Sequence, residues 1–207
     1  MPYSGLAVLC LTRPTDPRWA QVAIDKLDAL LIDHAHCEMK AASNALSLAA
    51  RWPDRPEVTR ALVELAEEEL RHFRAALDEL VRRGLSLGKP ETDVYAHELR
   101  KLAKVGGAGA PEDPLVDRLL VGAVIEARSC ERFKLLVDAL RARDTEPALV
   151  SFYEELFVAE ARHYRTLVDL AILVKGDESA VRRRLEDIAS AEGRLVERLG
   201  VQATVHG

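Results

Sequence analysis

"ELAEEELRHF", residues 64–73, sets four glutamates and a histidine into a segment whose apolar residues recur at helical spacing. "FVAEARHYRTL", residues 157–167, repeats the Glu-x-x-His element in the same kind of setting. On a helix, residues three apart point the same way, so each Glu-x-x-His offers a carboxylate and an imidazole to a single point in space. In the first segment the relation singles out Glu69 and His72, and Glu67 points elsewhere; in the second it singles out Glu160 and His163.

Working outward, helix punctuation divides the chain. An irregular start over 12–17 leads into a first helix from about 19 to 51, ended by "WPDRP". A second runs from about 57 to 83 and stops at Gly84. Residues 84–114 hold "GLSLGKP", a short helical piece at about 95–104 and "GGAGAPEDP", which is a long crossover and not a tight turn. Helices follow at about 115–142, 146–175 (stopped by Gly176) and 178–199, and no useful strand-like alternation is present. The 207 residues read as one domain, 1–207, with a core over about 19–175 and an extra C-terminal helix.

Steps of four and three along each long helix give its inward stripe. The first gives Leu31, Ala35, Glu38, Ala42, Ala45 and Ala49; the second gives Val58, Leu62, Leu65, Glu69, His72 and Ala76. The third gives Leu119, Gly122, Glu126, Ser129, Phe133 and Leu136, and the fourth gives Tyr153, Leu156, Glu160, His163, Leu167 and Leu170. Each stripe is apolar or small except near its middle, where the four together supply four glutamates and two histidines. Buried carboxylates repel one another and are costly to desolvate unless a cation joins them. Two divalent irons or manganeses bring about four positive charges, and each histidine adds a neutral nitrogen. A plain Glu helix followed by a Glu-x-x-His helix, twice, with a long crossover between the pairs, predicts an all-α, ferritin-like four-helix bundle holding two metals.

The remaining features set limits. A net charge of −5 excludes nucleic-acid binding through bulk charge and leaves only a local basic patch. Cys10, Cys37 and Cys130 form no C-x-x-C, which suits buried thiols in a reducing compartment. "GLAVLCL" (5–11) lacks a basic leader and falls short of the roughly 20 residues a membrane helix needs, so neither signal peptide nor anchor is expected. His34 and His36 fall off the stripe of Glu38 and read as surface or packing residues. Glu68 is a candidate to hydrogen-bond across the site to His163, the alternative being a solvated charge. The competing reading of the polar core is a set of buried ion pairs, with Arg71, Arg128, Arg132 or Arg162 as counter-charges; these lie off the central stripes. Tyr153 and Tyr164 read as packing residues.

"DHAHCEMKAASNALSL" (33–48), "EEELRHF" (67–73), "LVDRLLVGAVIEARSCERFKLL" (115–136) and "FYEELFVAEARHYRTLVDLA" (152–171) closely resemble the tRNA 2-methylthio-isopentenyl-adenosine hydroxylase family, MiaE. "IEARSCERF" is the most specific of these segments. The resemblance spans all four bundle helices and implies a cytoplasmic non-haem di-iron monooxygenase. Its O2-dependent reaction hydroxylates the isopentenyl group of the hypermodified adenosine beside the anticodon. It carries the iron ligands onto Glu38, Glu69, His72, Glu126, Glu160 and His163, the six the spacing reaches by itself. Substrate identity comes from the resemblance alone.

Such a reaction needs external electrons, and the chain has no flavin or iron–sulfur motif, so an electron donor such as a separate reductase is implied alongside the tRNA. The alternatives are a ferritin-like iron-oxidising or storage protein, a peroxide-reducing di-iron protein, and a helical scaffold whose polar core only fixes register. Candidate tRNA contacts are Arg82, Arg83, Lys89, Arg100, Lys101 and Lys104 around the crossover, with Arg182, Arg183 and Arg184 as the competing set.

Overall fold

The computed structural model describes residues 9–90, 93–105 and 113–206, with the side chains of 103–105 excepted. Among these residues there are seven α-helices and no strand: α1 (Arg18–Asp25), α2 (Leu27–Arg51), α3 (Pro56–Arg82), α4 (Val94–Val105), α5 (Pro114–Ala142), α6 (Pro147–Lys175) and α7 (Glu178–Leu199). None is long and apolar enough to cross a membrane.

The helix ends follow local chemistry. Proline opens α3, α5 and α6, where its missing N–H costs nothing and its φ already suits a helix. Asp113 caps α5 by accepting from the amides of Leu115 and Val116 at 3.1 and 3.3 Å, and Asp177 caps α7 through Ala180. Gly176 closes α6 at φ 71°, its amide donating to the Ile172 carbonyl at 2.8 Å. The single helix expected over 19–51 is instead two. At Lys26 the backbone leaves the helical region (φ −124°, ψ 41°), and a new helix starts with Leu30 N–H donating to the Lys26 carbonyl. Neither Pro nor Gly marks this break; it falls where the chain passes from one compact unit to the other, at Ile24 and Asp25.

One unit comprises the described residues of Asp25–Thr92 with Ala203–Val205. Its body is the α2/α3 hairpin, joined through Trp52 and Pro53. Leu31, Ala35, Ala42 and Ala45 of α2 and Val58, Leu62, Leu65 and Ala76 of α3 are buried as the periodicity expects. The segment after α3 folds back onto α2, where His36 Nε2–H donates to the Leu87 carbonyl at 3.0 Å. Val205 N–H likewise donates to Asp33 Oδ2 at 2.7 Å.

The other unit comprises the described residues of Met1–Ile24, Asp93–Gln202 and His206. The α5/α6 hairpin is its frame, α7 packs on both of these helices, and α4 packs on α5 and α7. Helix α5 is buried on most of its circumference, including its charged middle. Arg128 and Glu192 are fully buried, and the guanidinium donates to Glu192 from Nε at 2.8 Å and Nη2 at 2.9 Å. Nη1 donates to Thr15 Oγ1 and to Glu131, and Nη2 also reaches the Arg13 carbonyl. All five guanidinium N–H groups are thereby used. Thr15 donates to Glu131 from both its amide and its hydroxyl, and Tyr95 donates to Glu192 at 3.0 Å. Burial, and then the charge of Glu192, push the Tyr95 phenol well above its usual range, so it stays the donor. Gly193 permits this closure: a Cβ there would come within 2.7 Å of Arg13 Cγ and 2.8 Å of Thr12 Oγ1.

Candidate metal centre

The four stripes read from the sequence are buried along nearly their whole length, and the polar residues in them are buried too: Glu38, Glu69, Glu126, Glu160 and His163 are all below a tenth exposed. His72 is half-buried. Within the α2/α3 hairpin, one donor atom each from Glu38, Glu69 and His72 lie within 4.8 Å of one another; within α5/α6 the same holds for Glu126, Glu160 and His163. Each hairpin therefore presents two carboxylates and one imidazole from the same arrangement, a lone Glu on one helix and Glu-x-x-His on the next.

In the α2/α3 set the imidazole faces both carboxylates. His72 Nδ1 is 3.5 Å from Glu38 Oε2 and 3.5 Å from Glu69 Oε2. That is long for a hydrogen bond. Two donors each about 2.1 Å from one ion are roughly 3.0–3.4 Å apart for angles between square and tetrahedral, so the set is spaced to share a cation. The electrostatics point the same way. Burial alone would discharge the His72 ring, yet Glu38 and Glu69 outweigh it and raise its pKa to about 10. Burial likewise works against the Glu38 carboxylate, but the hydrogen bond from His34 and the nearby His72 imidazole hold it well below its usual range. The cage stabilises positive charge at its centre, which a divalent ion supplies with the imidazole neutral. Two oxygens and one nitrogen, with no thiolate, suit iron or manganese.

Two of the competing arginines bond elsewhere, Arg128 to Glu131 and Glu192 and Arg71 to Glu68. Arg128 spends every N–H outside the six candidates, Arg71 is exposed and lies 3.3 Å from Glu68, Arg132 lies over the Trp19 ring at 5.2 Å, and Arg162 is exposed. Glu68, the carboxylate expected to support His163, is half-buried and lies 3.3 Å from Arg71. Cys130 is buried, while Cys10 and Cys37 are half-buried, and none of the three is in a disulfide. Tyr153 is buried against Phe133 and Phe152, as a packing residue should be.

Of the two histidines read as surface or packing residues, His36 is buried as a packing residue against the Leu87 carbonyl, but His34 needs correction: it is fully buried, and its Nε2–H donates to Glu38 Oε1 at 2.6 Å. Four residues is one helical turn, so the spacing from His34 to Glu38 is itself the signal; a stripe drawn one residue wide passed over it. The Arg128–Glu131–Glu192 cluster was also missed. Its hint was "RSCER", where Arg128 and Glu131 are three apart on a second face of the same helix.

Of the tRNA-contact candidates, Lys89 and Arg100 are exposed. Arg82 and Lys101 are exposed and ion-paired to Glu79 and Glu98, whereas Arg83 is mostly buried between Glu79 and Asp28. The side chain of Lys104 lies outside the described residues. In the competing set, Arg182 pairs with Glu178 and Arg184 with Asp117.

An all-α chain with long hairpins that each carry Glu and Glu-x-x-His is a ferritin-like protein of the di-iron class. The solved structure of protein 43 with aldehyde deformylating oxygenase activity from Synechococcus superposes with a TM-score of 0.82 at 32% identity, covering 95% of each chain. A family model described as tRNA-(MS[2]IO[6]A)-hydroxylase (MiaE) matches residues 6–207. The tRNA 2-(methylsulfanyl)-N(6)-isopentenyladenosine(37) hydroxylase of Pseudomonas putida is 41% identical over 184 residues, 89% of this chain and 85% of its own. The Salmonella typhimurium protein of the same name is 28% identical, covering 83% of this chain and 78% of its own. The chain belongs to the MiaE family.

Proposed function

We propose that this protein is an O2-dependent non-haem di-iron monooxygenase that hydroxylates the isopentenyl group of the hypermodified adenosine next to the anticodon in tRNA. The observation that carries the reading is the pair of buried two-carboxylate, one-imidazole sets, one per hairpin, in a chain of this family. In this reading the two compact units act as one catalytic domain over 1–207. Glu38, Glu69, His72, Glu126, Glu160 and His163 hold two irons between them.

Bound iron supplies the one chemistry that side chains lack, activation of O2 for insertion into an unactivated C–H bond. The chain's own residues do the rest. Four carboxylates balance about four positive charges in a buried setting, so the loaded site is near neutral and stable away from water. His72 and His163 add neutral nitrogens that fix the helix faces toward the ions. The apolar remainder of each stripe excludes water from the reacting centre. Glu68 supports His163 by a hydrogen bond in this scheme. A separate cytoplasmic reductase delivers electrons, and the tRNA is held by a local basic patch at the crossover, of which Arg82, Lys89, Arg100 and Lys101 are exposed members.

The test is mass spectrometry of nucleosides from prenylated tRNA incubated with reduced, iron-loaded protein and O2. The expected product is the substrate nucleoside plus one oxygen atom. An iron-storing or peroxide-reducing protein would take up the metal and leave the nucleoside unchanged, and that result would overturn the proposal.

A further inference from the structure

We propose that His34 is a positioning residue that fixes Glu38 as a one-oxygen ligand and so makes the two metal positions unequal, the one at Glu38 and His72 being the tighter. The inference rests on the two-iron reading above.

The ligand sets of the two hairpins are alike, but their supports differ. On α2 the fully buried His34 donates to Glu38 Oε1 from one turn below at 2.6 Å. That bond occupies one carboxylate oxygen. The other, Oε2, is the atom 3.5 Å from His72 Nδ1, which is in turn 3.5 Å from Glu69 Oε2. Glu38 thus divides its two oxygens, one held by its own helix and one turned toward the donor set. Swinging Oε1 toward a metal would break a buried hydrogen bond to a carboxylate, which is among the stronger kinds.

On α5 the counterpart of Glu38 is Glu126, and the residue one turn before it is Gly122. Glycine offers no donor there. The space beside it is taken by α6: a Cβ at position 122 would lie 3.2 Å from Leu167 Cδ1. The slot that holds an imidazole in one hairpin is filled by a leucine methyl in the other. Glu126 therefore lacks the clamp from one turn before it that Glu38 has. A hydrogen bond that orients a ligand typically changes metal affinity by about 10–100-fold, so this difference is large enough to separate two otherwise similar sites.

The experiment is an anaerobic calorimetric titration of metal-free protein with Fe(II). Wild type should show two resolved steps. His34→Leu should weaken the tighter step by about 10–100-fold and leave the weaker one in place. His34→Gln, which keeps an N–H donor on a side chain of similar reach, should restore much of the loss. If His34→Leu does not fold, judged by circular dichroism, His34→Phe fills the volume without a donor and carries the same expectation. Unchanged steps in the donorless variant would overturn the proposal, as would equal weakening of both steps or no restoration by Gln. Fewer than two irons bound by wild type would instead remove the two-iron reading itself.

Discussion

Replacing Glu192 by Leu tests how far the α5/α7 packing depends on a buried ionic cluster. In the folded protein two buried guanidinium groups, Arg128 and Arg132, sit with two buried carboxylates, Glu131 and Glu192, and Glu192 accepts two of the five Arg128 N–H bonds at 2.8 and 2.9 Å. Removal of Glu192 leaves two buried cations with one carboxylate. It also leaves the Tyr95 hydroxyl without its acceptor. Breaking a buried pair from one side costs about 3–5 kcal/mol, because the remaining charge stays desolvated. For a chain of this size each kcal/mol moves Tm by about 2–4 °C, so Glu192→Leu should melt roughly 6–20 °C lower. Glu192→Gln keeps an acceptor and the volume and should lose less. The double variant Arg128→Met/Glu192→Leu removes charges of both signs and should recover part of the loss of the single one. Thermal unfolding followed by circular dichroism decides the matter. A Glu192→Leu protein melting within a degree or two of wild type would show that the cluster is decoration, and that Arg128 is satisfied without it.

Glu126→Ala or His163→Ala should lower the bound iron below two per chain and abolish nucleoside hydroxylation, whereas Glu67→Ala, exposed on α3, should match wild type in both; iron analysis and nucleoside mass spectrometry give the answer. Binding of tRNA should weaken with salt at a log–log slope of about −0.7 to −0.9 per phosphate contacted, and Arg100→Ala/Lys101→Ala should raise KM for tRNA and flatten that slope by roughly one to two. If Arg182→Ala/Arg183→Ala/Arg184→Ala has that effect instead, the tRNA approaches from α7. Burial pushes the Cys130 thiol up to about 12 and that of Cys10 to about 11. Both groups then hold their protons in the folded state after the unfolded chain has lost them, so stability should be intact below pH 9 and fall by the order of a few kcal/mol as pH rises from about 9 to 12. Denaturant midpoints across that range measure it, and alkylation of Cys10 and Cys130 in the native protein at pH 8 should be slow.

Much of this protein could be read from periodicity alone. Apolar residues at steps of three and four mark the buried face of each long helix whatever it packs on, and a polar residue kept on that face is conspicuous, which is why Glu38, Glu69, His72, Glu126, Glu160 and His163 stood out. Pro56, Pro114, Pro147 and Gly176 fixed helix ends by local sterics. What periodicity reports is that a face is covered, not by what. Arg128 and Glu192 are 64 positions apart and Arg128 and Thr15 are 113 apart, and no local pattern ties such partners together; only the packing of α7 and the 12–15 segment onto α5 decided that those charges are buried and paired. The break at Lys26 has no breaker residue, so no local pattern marks it. His34 is the instructive intermediate case. Its one-turn spacing from Glu38 was in the sequence, but a hydrogen bond depends on the rotamers that burial permits, and burial is a property of the folded chain.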